Sequence, residues 1–376
     1  MEFKLILKKL NNTLSDEEAT IFQEWYNESD LHREYFIRVK ENYQDETFLI
    51  DIEKGWNAID KKINPVAVKK TNYLKYAVAA SIVLLISITF LFQKESIEKG
   101  VNPVVTNNNI NIGTDKATLT LEDGTVVDLE KGQQYISDNL SSDGQELVYK
   151  DPSTSTKEIV YNYLTIPRGG QYHVILSDGT EIWLNSESQI KYPVTFANGK
   201  TRQVELVYGE AYFDVSPSHE NGGSKFKVHT GAQEVEVLGT EFNIKAYNDE
   251  DYIYTTLVEG KVTINNDKHK KVLKPKEQAV LDINDNNFVI TDVDVFSEIA
   301  WKRGLFSFKN KPLKDIMKVL SRWYDTDVVF ENKSLEHIEF KGVISKNQNI
   351  EEILTLIKNT NFINAYDIKN DTILLK

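Results

Sequence analysis

Two carboxylates, Glu210 and Asp214, lie four residues apart in the segment Gly209-Glu-Ala-Tyr-Phe-Asp-Val215. Paired carboxyl groups hydrolyse glycosidic bonds when they stand ~5 Å apart in retaining enzymes or ~6.5 to 9.5 Å apart in inverting enzymes. The segment is typical of a β-strand, in which positions i and i+4 share a face but lie about 13 Å apart. This spacing excludes the two residues as a hydrolytic pair.

Metal, thiol and phosphate chemistry has no support in the sequence. The chain has six histidines without an i,i+4 pair, and it has no cysteine. The strings GxxxxGK[ST], GxGxxG and GxSxG do not occur, so we expect no metal, no cofactor and no activated nucleophile. The formal net charge of −13 also disfavours direct nucleic-acid binding, which needs concentrated Lys and Arg.

One dipeptide, Gly239-Thr240, could react with itself. If the peptide bond were strained, the hydroxyl of Thr240 could attack the carbonyl carbon of Gly239. The alternative is an ordinary turn between two strands, in which the glycine supplies a permissive backbone. The sequence leaves both interpretations open.

The most apolar segment, residues 77–92, has no charged residue. About 18 to 20 such residues cross the ~30 Å hydrocarbon core of a membrane as a helix, so we expect a transmembrane helix at 75–93. A buried core helix is the alternative. Five lysines precede the segment closely and two follow it, which predicts a cytoplasmic N-terminus and an exported C-terminal portion.

The residues before this helix show apolar positions at helical spacing. They predict a small all-α bundle over 1–63, followed by a basic juxtamembrane segment over 64–74. Four short helices bury only a small core, so we expect the bundle to depend on a partner. Four aromatic side chains are either core residues or anchors for that partner: Trp25, Tyr26, Tyr35 and Trp56.

The residues after the helix fall into three parts. Residues 94–116 are Asn-rich and aperiodic, which is typical of a tether. Residues 117–290 alternate in short strands with Gly, Asn and Asp turns, which predicts an all-β sandwich or roll. Residues 300–376 change to a β-α-β-β-α-β-like pattern, so the whole chain is predicted to be multidomain with an α+β C-terminal domain.

The β region resembles the FecR family over a signature at 161–265. Val174-Ile-Leu-Ser-Asp-Gly-Thr-Glu-Ile-Trp-Leu-Asn185 opens it, and later strings follow in the family's order. The family-signature residues are Asp178, Gly179, Thr180, Trp183, Leu184, Asn185, Gly209, Glu210, Phe213, Gly239, Thr240, Phe242, Glu259 and Gly260. Lys225 and Lys276 depart from the pattern, where a Pro and a Gly are usual, and the second departure puts the geometry of the last turn in doubt.

The resemblance extends beyond the β region. Residues before the predicted transmembrane helix are similar to the anti-sigma domain of Bacteroidota members of the family. Residues 301–376 are similar to the C-terminal domain of those members, which resembles the secretin and TonB short N-terminal fold. The resemblance implies that the protein is a single-pass anti-sigma factor of the bacterial inner membrane. Its helices would hold an extracytoplasmic-function (ECF) sigma factor, and the periplasmic part would receive a signal from an outer-membrane TonB-dependent transducer of SusC-like or siderophore type.

Some consequences are implied by the resemblance alone. It implies that some FecR-like proteins are cleaved at a Gly-Thr dipeptide at this position. It also leads us to expect regulated proteolysis by a site-2-type protease near the membrane span. Besides these partners we expect membrane lipid around the helix and no turnover of a small substrate. The alternative is a membrane-anchored module that binds a periplasmic glycan or cell-wall polymer through aromatic side chains such as Trp183 and Tyr212.

Overall fold

The computed structural model describes residues 110–137, 139–150, 159–197, 199–266 and 268–376, together with residues 6, 8–10, 14–28, 32–33, 36–37 and 40. The chain divides into two compact units, residues 1–100 and 101–376. The juxtamembrane segment and the predicted span at 75–93 lie outside the described residues. Within the described ranges, no helix is both long enough and apolar enough to cross a bilayer.

The N-terminal unit contains helix α1 (Asp16–Glu28). The helix begins with a capping box: the N–H of Glu18 donates to Ser15 Oγ at 3.2 Å, and the N–H of Ser15 donates to the Glu18 carboxylate at 3.1 Å. Phe22 and Trp25 of this helix pack with Ile6 in a small cluster. The predicted helical region is therefore present, with a core of few residues.

The larger unit begins with a β domain of 18 strands. Its strands are β1 (Thr114–Thr120), β2 (Val126–Glu130), β3 (Tyr135–Ser137), β4 (Leu140–Ser142), β5 (Glu146–Tyr149), β6 (Tyr161–Ile166), β7 (Gly170–Ile175), β8 (Glu181–Leu184), β9 (Ser188–Pro193), β10 (Arg202–Asp214), β11 (Phe226–Thr230), β12 (Gln233–Val237), β13 (Glu241–Ala246), β14 (Tyr252–Glu259), β15 (Val262–Asn265), β16 (Lys270–Leu273), β17 (Glu277–Asp282) and β18 (Phe288–Asp292). A short 3₁₀ helix, Ser218–Asn221, follows β10. The predicted mostly-β architecture is thereby confirmed.

The strands form two sheets that share one long strand. Sheet 1 has the order β2-β1-β6-β9-β10-β11-β12-β15-β16. Sheet 2 has the order β3-β4-β5-β7-β8-β10-β13-β14-β17-β18. Strand β10 contributes its first half to sheet 1 and its second half to sheet 2, so it fixes the two sheets to each other.

Gly209 lies where β10 passes from one sheet to the other. Its φ is +98°, in the region that favours glycine. A Cβ at this position would come within 2.4 Å of the Cα of Ser188, so the close approach of β9 to β10 also requires glycine. This signature residue therefore has a structural role, at the strand's transition between sheets.

The inner faces of the two sheets pack on one hydrophobic core. Signature residues Leu184, Phe213 and Phe242 belong to it and are fully buried. The rings of Phe213 and Phe242, on neighbouring strands β10 and β13, stack with centroids 4.9 Å apart. One shared core between two sheets is the arrangement of a β-sandwich.

A short connector, residues 295–303, leads from the β domain to the C-terminal domain. It consists of helix α2 (Val295–Ile299) and the 3₁₀ helix Ala300–Arg303. The sequence does not predict this connector, because five residues are too few to show a helical period.

The C-terminal domain contains the predicted α+β succession and one strand more. Its elements are β19 (Leu305–Pro312), α3 (Leu313–Tyr324), β20 (Asp327–Phe330), the 3₁₀ helix Lys333–His337, β21 (Glu339–Ser345), α4 (Ile350–Asn359), β22 (Tyr366–Lys369) and β23 (Thr372–Leu375). They form the sheets β19-β21 and β20-β23-β22. Strand β22 was missed because its four residues carry only one buried apolar side chain, Ile368.

The predicted tether at 94–116 ends earlier than expected. Strand β1 already begins at Thr114 and pairs with β7, and Ile110 and Ile112 pack on the core of the C-terminal domain. A Cβ at Gly113 would come within 2.6 Å of the Trp323 ring. The Asn-rich composition predicted a tether, because Ile110 and Ile112 pack on a domain that begins almost 200 residues later in the chain.

Candidate functional site

The outward face of sheet 2 carries a row of polar and aromatic side chains at matched positions. The strand register sets His173, Trp183, Tyr212 and Asn243 side by side on β7, β8, β10 and β13. Because side chains alternate along a strand, this row faces away from the core that contains Leu184 and Phe213. We call this surface the docking face, because the connector and the C-terminal domain cover it.

Glu210 is the buried charge at the centre of the docking face. Asn185 donates to its Oε2 at 2.8 Å and Asn243 donates to its Oε1 at 3.0 Å. Burial raises the pKa of Glu210, although Lys245 and the two amides oppose that shift. Trp301 of the connector donates to Asn243 Oδ1 at 3.3 Å, which joins the connector to this network.

The connector packs on the aromatic part of the docking face. Ile299 and Trp301 form a buried cluster with Tyr212, against which Trp183 packs. The ammonium of Lys302 lies 3.5 Å from the centroid of Trp183 and 4.1 Å from that of Tyr212. The two rings on which the glycan-binding alternative rested are therefore occupied by the chain's own lysine.

Helix α3 clamps the C-terminal domain onto the β domain through Arg322, whose side chain is 5 % exposed. Its Nε donates to Glu187 at 3.1 Å, its Nη1 donates to Glu250 at 3.1 Å, and its Nη2 pairs with Asp249. The guanidinium also lies 3.6 Å from the ring centroid of Tyr247. Three carboxylates on one arginine compensate for the cost of burying it.

Lys346, directly after β21, is the second buried cation of the interface. Its Nζ donates to Gln171 Oε1 of β7 at 2.8 Å and lies 3.5 Å from the Trp323 ring centroid. Gln171 in turn donates to Asp115 at 2.9 Å. Because its direct acceptor is a neutral amide, burial lowers the pKa of Lys346 to about 7, while Glu210 and Asp115 oppose the shift.

The interface leaves almost no empty space. A cavity of about 20 Å³ remains among Asn185, Glu210, Tyr247, Arg322 and neighbouring side chains. That volume holds about one water molecule. This cavity is therefore too small for a small-molecule substrate.

A second cluster, around signature residues Asp178 and Gly179, joins the β7–β8 hairpin to the loop after β10. Asp178 and Arg202 form an ion pair at 2.6 Å, with both side chains 2 % exposed. Arg202 also donates to the carbonyls of Ser216 and Ser224, and Asp178 accepts from the N–H of Thr180. Gly179 has φ +79°, which the tight turn requires. These residues stabilise the β7–β8 hairpin. The two charged side chains are buried, so they are not accessible to a substrate.

The Gly239-Thr240 dipeptide lies between β12 and β13. Gly239 has φ +149°, and a Cβ there would come within 3.0 Å of Pro217. Thr240 is buried, and its hydroxyl donates to the carbonyl of Lys261 at 3.2 Å. Signature residue Gly260 makes room for it, since a Cβ at 260 would come within 2.8 Å of the Thr240 hydroxyl. Its neighbour Glu259 is exposed at the end of β14.

The proposed partner anchors of the N-terminal unit are only partly described. Trp25 is 9 % exposed and stacks on His32 with centroids 4.7 Å apart, and Tyr26 packs at the edge of the same cluster. In the unit as folded, Trp25 is therefore a core residue. Tyr35 and Trp56 lie outside the residues whose side chains are described.

The docking residues of the C-terminal side were missed by sequence reasoning. Arg322 and Lys346 belong to no motif, and Gln171 lies just before the recognised signature string. The one available signal is the position of Arg322 on an otherwise amphipathic helix, beside Trp323. In the described part of the chain, no cluster of three or more His, Asp or Glu side chains could hold a metal ion.

The buried Lys346 makes docking sensitive to pH. The docked state has a Lys346 pKa of about 7 against 10.5 for an exposed lysine, so between these values it binds fewer protons than the undocked state. The free energy of docking should therefore become more favourable as pH rises above about 7, by up to about 1.4 kcal/mol per pH unit. Below about pH 7 it should not change with pH. We expect Lys346→Met to protect the α3 amides from hydrogen exchange more than the wild type near neutral pH, with the difference shrinking at higher pH.

The matched control is Lys341→Met, an exposed lysine on β21. It should follow the wild type at every pH. Equal pH dependence of α3 protection in the wild type and in Lys346→Met would contradict the assignment.

Comparisons with known proteins agree with this arrangement. Residues 162–263 match the family model "FecR protein", and residues 305–375 match "FecR, C-terminal". Two solved structures of a candidate anti-sigma factor from Parabacteroides distasonis, at 1.65 and 2.50 Å resolution, are 27 % identical to this chain, with TM-scores of 0.52 and 0.51. Each match covers 57 % of this chain and 98 % of the solved chain. A search of curated proteins found no match. Two adjoining regions of the chain match these models in the order expected from the signature, so the chain contains a FecR domain followed by a FecR C-terminal domain.

Proposed function

We propose that this protein is an anti-sigma regulator that relays an external signal and does not turn over a small substrate. The observation that carries the proposal is the joint packing of a FecR domain and a FecR C-terminal domain on an interface with buried, paired charges and only a small cavity. The likeness to a candidate anti-sigma factor, at 27 % identity, supports the same role.

The N-terminal helices would hold an ECF sigma factor. Their described core is small, with only Ile6, Phe22 and Trp25 buried. A unit with so little buried apolar surface gains stability from binding a partner, because binding to the folded state shifts the folding equilibrium.

Residues 110–376 would receive the signal from the periplasmic signalling domain of a TonB-dependent transducer. The domain pair has open strand edges, which can accept a strand from a partner. The docking face offers a route for the signal, since a buried polar network is stable only when all its members stay paired. Disturbing the C-terminal domain would therefore disturb Glu210 and its neighbours.

Sigma-factor binding is tested by co-purification. The full-length chain, solubilised from membranes, should retain a co-expressed ECF sigma factor of the same organism. We expect Trp25→Ala to reduce the retained sigma factor at least tenfold, because loss of a buried tryptophan costs about 3 to 5 kcal/mol in so small a core. Tyr161→Ala, an exposed aromatic residue on β6 of sheet 1 and outside the docking face, is the control and should leave binding unchanged.

The idea fails if the wild-type chain retains no sigma factor and deletion of its gene leaves sigma-dependent transcripts unchanged.

The membrane topology also belongs to this proposal: an N-terminus in the cytoplasm, one helix at 75–93 in the inner membrane and a periplasmic C-terminus. The absence of cysteine allows a direct test with single cysteines at exposed serines. A membrane-impermeant maleimide applied to spheroplasts should label Ser334→Cys and should label Ser15→Cys only after lysis. Labelling of both positions in intact spheroplasts, or of neither, would refute this orientation.

Self-cleavage at Gly239-Thr240 is a separate part of the proposal. The Thr240 hydroxyl would attack the Gly239 carbonyl carbon, forming an ester and freeing the Thr240 amine, and water would then hydrolyse the ester. We expect membranes to contain two fragments for the wild type and Thr240→Ser, and one full-length band for Thr240→Ala. A single full-length band in all three would dispose of cleavage.

A further inference from the structure

The β15–β16 hairpin and its flanks carry an unusual concentration of positive charge. The chain has a formal net charge of −13, yet six lysines lie within residues 261–276: Lys261, Lys268, Lys270, Lys271, Lys274 and Lys276. All six are exposed. A basic surface on an acidic chain stands out electrostatically, because the surrounding negative charge confines the positive potential to this hairpin.

These lysines are not used to hold the fold together. None of the six forms an ion pair with a carboxylate in the described part of the chain, whereas Lys227 on β11 and Lys225 directly before that strand pair with glutamates of β12. Among the described residues, the only side-chain hydrogen bond in this set is made by Lys268, whose Nζ donates to the main-chain carbonyl of Asp285 at 3.3 Å. The charges of the hairpin therefore point to something outside the domain.

Strand β16 is the last strand of sheet 1, and within the described residues its ladder partner is β15 alone. The N–H of Asn266 donates to the carbonyl of His269 at 3.0 Å, which fixes the alternation of the antiparallel ladder. Ile264 and Lys271 then form the next hydrogen-bonded pair. The main-chain groups of Lys270 and Val272 consequently point away from β15, toward the open edge.

We infer that the open edge of β16 binds an extended, acidic segment of a partner protein by strand addition. The added strand would bond to the outward main-chain groups of Lys270 and Val272, and its carboxylates would pair with the lysines on either side. Two copies of this same edge repel each other, so the lysines also exclude symmetric pairing of the chain with itself. The inference rests on the proposed function and deepens it, since it names the strand edge and the chemistry of the partner segment. Peptide binding tests it independently of the retention of a sigma factor.

The orientation of the lysines favours a strand over a flat anionic membrane. Consecutive residues of a strand point to opposite faces, so Lys270 and Lys271 lie on opposite faces of sheet 1. Both are exposed. A bilayer surface reaches one face, whereas a strand added in the plane of the sheet presents side chains to both.

The test uses the full-length chain and a fluorescent octapeptide, Thr-Glu-Glu-Thr-Thr-Glu-Glu-Thr, which as a strand carries carboxylates on both faces. The control ligand is Thr-Lys-Lys-Thr-Thr-Lys-Lys-Thr. Fluorescence anisotropy should detect binding of the acidic peptide alone, weakening as salt is added. The double variant Lys270→Glu/Lys271→Glu should lose at least tenfold in affinity. The matched double variant Lys309→Glu/Lys311→Glu, exposed on β19, changes the net charge equally and should bind as the wild type does.

A third variant separates strand addition from simple charge attraction. Val272→Pro removes an outward N–H and leaves the bonds to β15 intact, as proline does on edge strands. It should abolish peptide binding while keeping every lysine. Full binding by Val272→Pro would overturn the inference, as would binding only to phosphatidylglycerol vesicles, or lysine-dependent self-association of the chain in sedimentation velocity.

Discussion

The arrangement of residues 110–376 depends on one buried carboxylate, Glu210, on the outer face of a sheet. A charge in such a place is costly unless hydrogen bonds and a cover keep it satisfied. Asn185 and Asn243 supply the bonds, at 2.8 and 3.0 Å, and the connector supplies the cover through Trp301. The docking of the C-terminal domain follows from this requirement, and Arg322 strengthens it from the other side of the same cavity.

The family signature separates into three physical roles. Leu184, Phe213 and Phe242 fill the core between the sheets. Asp178 and Arg202, with the turn at Gly179, hold the β7–β8 hairpin against the loop after β10. A third set, which includes Trp183 and Asn185, faces outward and is covered by the rest of the chain. The third set explains why polar residues recur in strands whose other face is apolar.

A closed polar interface is better suited to transmitting a signal between two domains than to binding a small molecule. Its members are stable together and unstable apart, because each separation leaves buried charges such as Arg322 and Lys346 without compensation. A partner that moves the C-terminal domain would therefore change the β domain in discrete steps rather than gradually. The open strand edges lie outside this interface and can be occupied without breaking it.

The amino-acid sequence by itself determined the local structure: the alternation of apolar residues in the strands, the Asp-Gly turns, the capping box at Ser15 and Glu18, and the two amphipathic helices of the C-terminal domain. Those features depend on residues close together in the chain. Tertiary structure alone decided that Lys346 meets Gln171, that Arg322 meets Glu187, and that Ile110 and Ile112 pack on the C-terminal domain rather than belonging to a tether. Lys346 and Gln171 are 175 positions apart, and no periodicity or motif links residues whose contact depends on how two finished domains pack.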